Sequence, residues 1–515
     1  MKRKDFGYLT PAERDLCAGV GTGEIVVIGD GTRPGEEAGE ARQIRAALLR
    51  ALILNRVKDG PVHDKGVRVE GGRITGTLDL EGCRIGRDIE VANCRFDKPP
   101  VLRAARVDSL FLNGSDLPGV VADRLQAEGN ISLNGVETAG EVRLAGARLG
   151  GDLSCTGTQL RAGKSGIALT ADALQADGDV FLSDAETLGE VRLVGAWLGG
   201  DLACDKATLR AMQSGAALVA PRLSAKGTLF WRGLEGIEGV VDLTNAEVGA
   251  VCDDRISWPK RGDLLLDRFR YGAITGTGAP LDADARIDWL DRQDPARVGA
   301  DFWPQPWEQC AKVLREMGHR EDARRILIAK EERQRAARRA RTDGWARYTL
   351  RLWDTVLAQV TGYGYRPFRA LYFLAVLWLY GAFVFWDAAR VDSIKPNDPF
   401  VLRSAKWAYC APDYEQEIDE APFRPRNDGA RSQLACFRDQ PEAQGYPAFN
   451  ALVYSADTLL PVVEVEMQAF WLPDDRHPYG AVARYYLWAH IALGWAFSIL
   501  AVAGFTGLIR TEDTE

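Results

Sequence analysis

Histidine and methionine are scarce, with four of each in 515 residues. The histidines, His63, His319, His477 and His490, are too scattered to build a metal centre, and the nine cysteines form no Cys-x-x-Cys pair. No zinc-protease, nucleophile-elbow or phosphate-loop motif occurs, and no flavin, haem or nicotinamide signature, so neither enzyme chemistry nor a cofactor is expected. The Gly-rich stretch VGTGEIVVIGDGTRPG lacks the Gly-Lys-Ser/Thr ending of a phosphate loop. An excess of one charge sign is also missing: 64 Lys and Arg stand against 72 Asp and Glu, a net charge of −8. That excludes whole-chain attraction to nucleic acid or membrane. After the basic start Met1-Lys2-Arg3-Lys4 no apolar run follows, so a secretory signal is not expected there.

What is present is uneven. The mean hydropathy of −0.18 is that of a soluble protein, yet Ala370 to Trp386 is 17 residues without a charge, and Tyr485 to Ile509 is 25 with only His490 ionisable. A hydrocarbon core of about 30 Å needs roughly 20 helical residues. Both runs are therefore expected to span a membrane, with aromatic rings near their ends in the headgroup zone. Arg333 to Arg351 carries seven arginines and one acid, Asp343, while acids outnumber bases between Asp387 and Arg484, and Arg510 follows the second run. Positive flanks stay inside. The expected location is a bacterial inner (plasma) membrane, with the N-terminal part and the C-terminus cytoplasmic and residues 389–484 periplasmic or external.

Seven cysteines (Cys17, Cys83, Cys94, Cys155, Cys204, Cys252, Cys310) fall on the reducing side and read as small core residues. Cys410 and Cys436, the two in the external segment, are expected to pair as a disulfide.

The N-terminal two-thirds is repetitive. GEVRLAGARLGGDLSCTGTQLRA from Gly140 and GEVRLVGAWLGGDLACDKATLRA from Gly189 are offset by 49 residues, as are ADRLQAEG from Ala122, ADALQADG from Ala171 and APRLSAKG from Ala220. Short alternating apolar pieces between Gly, Asn and Asp are strand-and-turn punctuation, and a fixed period with small inward residues describes a stacked solenoid. With its loosely kept A-x-L units at Ala147 and Ala207, this region resembles the pentapeptide-repeat-like β-solenoids. The resemblance implies a right-handed parallel β-solenoid, here with about two rungs per 49-residue unit plus loops such as RAGKSG. The DNA mimicry of strictly acidic family members is not favoured by a region this balanced in charge; a scaffold for a partner enzyme or protein is the plainer expectation.

Before the solenoid, Thr10-Pro11-Ala12-Glu13 has the form of a capping box, and Ala41 to Leu54 shows helical spacing; together they predict a helical cap on the first rung. After it, Pro306 to Met317 and the stretch from Arg320 predict a helical hairpin that runs into Arg333, Arg335, Arg338, Arg339 and Arg341. These arginines read as attraction to the membrane surface or as a site for an anionic ligand, a nucleotide or oligonucleotide.

Between the two apolar runs, FNALVYSADTLLPVVEVE (Phe449 to Glu466) is too short to span and too apolar for an ordinary loop. Span, external loop, re-entrant helix and span is similar to the topology of two-transmembrane tetrameric channels. That likeness implies a homotetramer with Asp457, Thr458, Glu464, Glu466 and His490 as pore-lining candidates, the two glutamates favouring cations at the mouth. No TVGYG filter follows Thr458, so potassium selectivity is not implied; VTGYG at Val360 precedes the first run and reads as a turn.

The expected fold class is mixed: residues 1–65 a helical cap, 66–255 the solenoid, 256–367 a linker and basic helical module, 368–388 the first span, 389–445 an external loop, 446–472 the re-entrant pore-like helix, and 485–510 the second span. The combination is similar to channel effectors of bacterial anti-phage defence, of the Hailong type, which implies a ligand-gated channel. A membrane-anchored scaffold is the competing class. Chains that look like this one throughout are sometimes labelled membrane-associated oxidoreductases, a label no residue here supports.

Overall fold

The computed structural model describes residues 2–212, 215–299, 301–411 and 432–506. Arg510, on which the C-terminal orientation rested, lies outside them, as do residues 412–431 of the expected external loop. The chain forms two units, Met1–Arg341 and Thr342–Glu515.

In the first unit the alternating pieces become short strands that pair in parallel, in an unbroken ladder from Val26–Val27 to Arg270–Ile274. One coil comprises Gln126–Ala127, Ile131–Ser132, Glu137–Thr138 and Val142–Arg143, after which Arg148–Leu149 stacks on Gln126–Ala127. Val180 pairs with Leu153, 27 residues earlier, and with Leu202, 22 residues later. These two steps make up the 49-residue period, and the longer one carries the loop at 162–166. Along one inward position stand Leu133, Cys155, Leu182 and Cys204, each at most 1% exposed. Burial pushes the thiols of Cys94, Cys155 and Cys204 up to about 12, so they stay protonated and serve as packing atoms.

The repeated Leu-Gly-Gly-Asp has a steric cause. The Asn130 side-chain oxygen accepts the Asp152 N–H at 2.8 Å, Asp152 accepts that of Asp179 at 2.8 Å, and Asp179 accepts that of Asp201 at 2.7 Å. A Cβ on Gly151 or Gly200 would lie within 2.0 Å of these oxygens. The motif therefore encodes a side-chain-to-backbone ladder along one corner, which gives the partly exposed corner N–H groups a fixed partner.

At the N-terminus the capping box forms: Thr10 accepts the Glu13 N–H, and Glu13 accepts that of Thr10. The second helix is shorter than its spacing predicts, Ala46–Ile53, because Gln43–Arg45 is drawn into the ladder beside Arg73–Thr75. Ile44 lies opposite Ile74 there, while the Gln43 N–H is held by the Glu40 carbonyl and the Arg45 N–H by the Glu13 carboxylate, and these partners outweigh local helix preference. At the other end, Ala283–Leu290, Gln305–Glu316 and Arg320–Ala340 pack on the last coils, where Gln309 donates to the Tyr271 carbonyl at 2.7 Å.

The second unit contains two helices, Phe368–Arg390 and Pro478–Phe505, long and apolar enough to cross a membrane. Only 28% of the most apolar window of each is buried within the chain, and Leu379, Phe383, Trp488 and Ile499 face outward. A helix in a soluble core buries its large apolar side chains. Strands Ile394–Pro396 and Trp471–Pro473 pair antiparallel and tie the ends of the intervening segment together. That segment has more core than its sequence suggests: Ile394, Trp407, Phe437 and Trp471 form one buried cluster with Phe385 of the first apolar helix. Cys410 and Cys436 are joined as a disulfide across a sequence separation of 26. Replacing both by serine is expected to cost about 3.5 kcal/mol from loop entropy, read as a lower melting temperature of the detergent-solubilised protein; an unchanged value would show that the link adds nothing to stability.

Candidate functional site

The apolar stretch between the two long helices forms the nine-residue helix Ala451–Leu459. Asn450 begins it, its side-chain oxygen accepting the N–H groups of Leu452 and Val453 at 3.0 and 3.2 Å. Pro461 ends it by forcing Leu460 into extended backbone.

Both long helices hold this short one at backbone range. Gly494 of the second lies so close that a Cβ would stand 1.9 Å from the Leu459 carbonyl oxygen. Gly381 of the first faces His490 and Ser455, each 2.5 Å from the position of a Cβ. Trp378 Nε1 donates to the Leu452 carbonyl at 2.9 Å, and Ser455 Oγ donates to the Trp378 carbonyl at 2.8 Å. With that proton committed, His490 Nε2–H donates to Ser455 (3.2 Å to Oγ), and Nδ1 accepts from the Tyr486 hydroxyl at 3.2 Å. This tautomer follows from the hydrogen-bond network. A neutral imidazole is satisfied on both sides, so His490, fully buried, works as a staple between three helices.

Beyond Leu460 the chain turns back. The Asp457 carboxylate accepts the Val465 N–H at 2.9 Å and the Gln468 N–H at 2.6 Å, closing the turn over the end of the short helix. Asp457, Thr458, Glu464 and Glu466 line one recess of about 580 Å³. Four of the five expected pore residues are thus gathered in one place. His490 stands apart, and Thr458 spends its hydroxyl on the Tyr454 carbonyl at 2.8 Å. Gly381, Gly494, Ser455, Trp378 and Tyr486 were not singled out from sequence. Two glycines inside apolar helices were the available signal, since small residues mark close helix approach in apolar surroundings.

The basic helix Arg320–Ala340 and its C-cap Arg341 are arranged differently from a simple phosphate platform. At 3.6 residues per turn the five arginines spread over more than half the circumference. Arg333 lies over Trp307 at 4.5 Å and binds Asp291 with two nitrogens; Arg335 pairs with Glu331 at 3.2 Å and Arg341 with Asp301 at 2.8 Å. Three guanidinium groups therefore already hold carboxylates: Arg333 and Arg341 fasten this helix to its own unit, and the Arg335–Glu331 pair lies within the helix. Comparison with family models, with curated proteins and with solved structures gives no match for this chain.

Proposed function

We propose that this chain is the subunit of a homotetrameric, ligand-gated channel in a bacterial inner membrane, with a right-handed, helix-capped solenoid and the basic helical module on the cytoplasmic side. The observation that carries the reading is the short helix Ala451–Leu459 pinned between two apolar helices and followed by an exposed apolar turn. Nine residues rise about 14 Å, far short of a bilayer core of about 30 Å. Irregular backbone at that depth has to be buried in protein or line water. In one chain Val462 is 91% exposed, and Val463 and Val465 are exposed beside Glu464 and Glu466. Four copies about an axis would cover the valines and turn the carboxylates toward a water-filled centre.

The experiment is ion flux from proteoliposomes, with native mass spectrometry of the same detergent preparation. A fourfold assembly that conducts cations is expected, and Glu464→Gln with Glu466→Gln should lower cation over anion preference by roughly twofold or more. A monomer, or no flux, would return the chain to the competing class, a membrane-anchored scaffold whose solenoid recruits a protein. The gating ligand in this reading is a nucleotide or oligonucleotide at the basic helix. There it must displace Asp291, Glu331 and Asp301 from Arg333, Arg335 and Arg341, so multivalent anions are favoured and salt should weaken binding. The resemblance to anti-phage effectors extends the proposal to the cell: infection would collapse the membrane potential.

A further inference from the structure

Helix Trp345–Thr361 buries one stripe and leaves the opposite one bare. On its inner side Leu357, Val360 and Thr361 are buried. Val360 packs with Ala370, at the start of the first apolar helix, and Ala501, near the end of the second, with Val356, Phe373, Phe497 and Leu500 around them. Because both candidate spans meet it with their terminal turns, this helix is level with one edge of the membrane those spans define. Gly362, left-handed at φ 53°, ends it, and the six residues 362–367 lead to the first span. Six residues reach at most about 20 Å, so the helix is tethered to that edge as well as packed there.

Over its first two turns the outer side is apolar, with Thr355 and Gln359 following on the same face. Trp345, Tyr348 and Leu352 are 80, 68 and 69% exposed and recur at three- and four-residue steps, which puts them on one face. Trp353, 53% exposed, widens that face. Arg347 and Arg351 are exposed along its margin. Indole and phenol rings next to guanidinium groups suit the boundary between acyl chains and phosphates, where each finds its own kind of partner. We propose that this helix lies on the bilayer surface, with Trp345, Tyr348 and Leu352 at the acyl boundary and Arg347 and Arg351 against the phosphates of anionic lipids. The helix thereby sets the height of the spans and links their ends to the membrane face. The proposal needs the two spans but not conduction, so it stands or falls separately from the channel reading.

The test is photocrosslinking of the full-length protein in vesicles made of equal parts phosphatidylglycerol and phosphatidylcholine, with p-benzoylphenylalanine placed at 348 or at 352. Both positions are exposed, so the probe is not expected to disturb folding. Mass spectrometry should find phospholipid adducts at both, enriched in phosphatidylglycerol, and Arg347→Glu with Arg351→Glu should reduce that enrichment roughly tenfold. Adducts to a second copy of the chain or to its own solenoid would overturn the proposal. Lipid adducts without a phosphatidylglycerol preference would overturn the assignment to anionic lipid.

Discussion

Gly494→Ala is expected to release the short helix from the second apolar helix. The added methyl would begin 1.9 Å from the Leu459 carbonyl oxygen, and that neighbour is backbone, with no flexible side chain to swing aside. Either the second helix backs away or the turn after Leu459 shifts. Overpacking of this kind costs about 1–3 kcal/mol when side chains yield, and a backbone clash belongs at or above the top of that range. The displacement would also pull Ser455 from His490 and Trp378 from the Leu452 carbonyl, undoing the three-helix staple. Thermal unfolding in detergent should show a clear fall in midpoint, with flux lost in the same preparation. Gly445→Ala, where a Cβ meets nothing within 4 Å, is the control and should melt with the parent protein. A Gly494→Ala protein as stable as the control would mean that the helices do not approach as described.

Arg286→Met should be the most damaging change in the first unit. Arg286 and Asp253 have side chains 1% and 2% exposed, joined by two bonds of 2.8 and 2.7 Å. The remaining polar atoms are used as well: Arg286 Nε donates to the Pro280 carbonyl at 2.7 Å, and Trp258 Nε1 donates to Asp253 at 2.8 Å. The guanidinium also lies near the Trp289 ring, 5.3 Å from its centre. Removing the arginine strands a carboxylate away from water, which costs about 3–5 kcal/mol. The double change Arg286→Met with Asp253→Asn removes both charges and keeps an acceptor for Trp258, so it should be milder than Arg286→Met alone. Urea unfolding followed by circular dichroism compares the two. If the double variant is no better than the single one, lost packing against Trp258 and Trp289 is the cause rather than the unpaired charge. Since Asp253 ends the long strand Glu247–Asp253 and Arg286 sits on the first helix beyond the solenoid, the pair joins the last coils to the helical module.

Much of this was legible in residues alone. The 49-residue offset is written by local turn chemistry: Gly-Gly-Asp recurs because each corner places an Asn or Asp oxygen where a Cβ would go. The two apolar runs and the Thr10 capping box depend on a few neighbouring side chains, and neighbours are what a sequence displays. Where reading failed, a distant partner was decisive. Gln43–Arg45 looked helical until strand Arg73–Thr75 offered it a ladder. Helix Trp345–Thr361 was hidden behind the arginines that precede it, and Arg333 and Arg341 looked uncommitted because Asp291 and Asp301 are not visibly theirs in a linear text.

By itself, then, the sequence determined the 49-residue period of the solenoid, the existence of two apolar helices, and a short apolar helix ended by Pro461. Those follow from periodicity, apolar content and proline geometry, which act within a few residues. Only the tertiary structure decided that His490 is a satisfied staple, that Asp457 closes a turn, and that Gly381 and Gly494 admit the short helix. Burial and hydrogen-bond partners arise between segments up to a hundred residues apart, and a side chain's chemistry depends on which partners reach it.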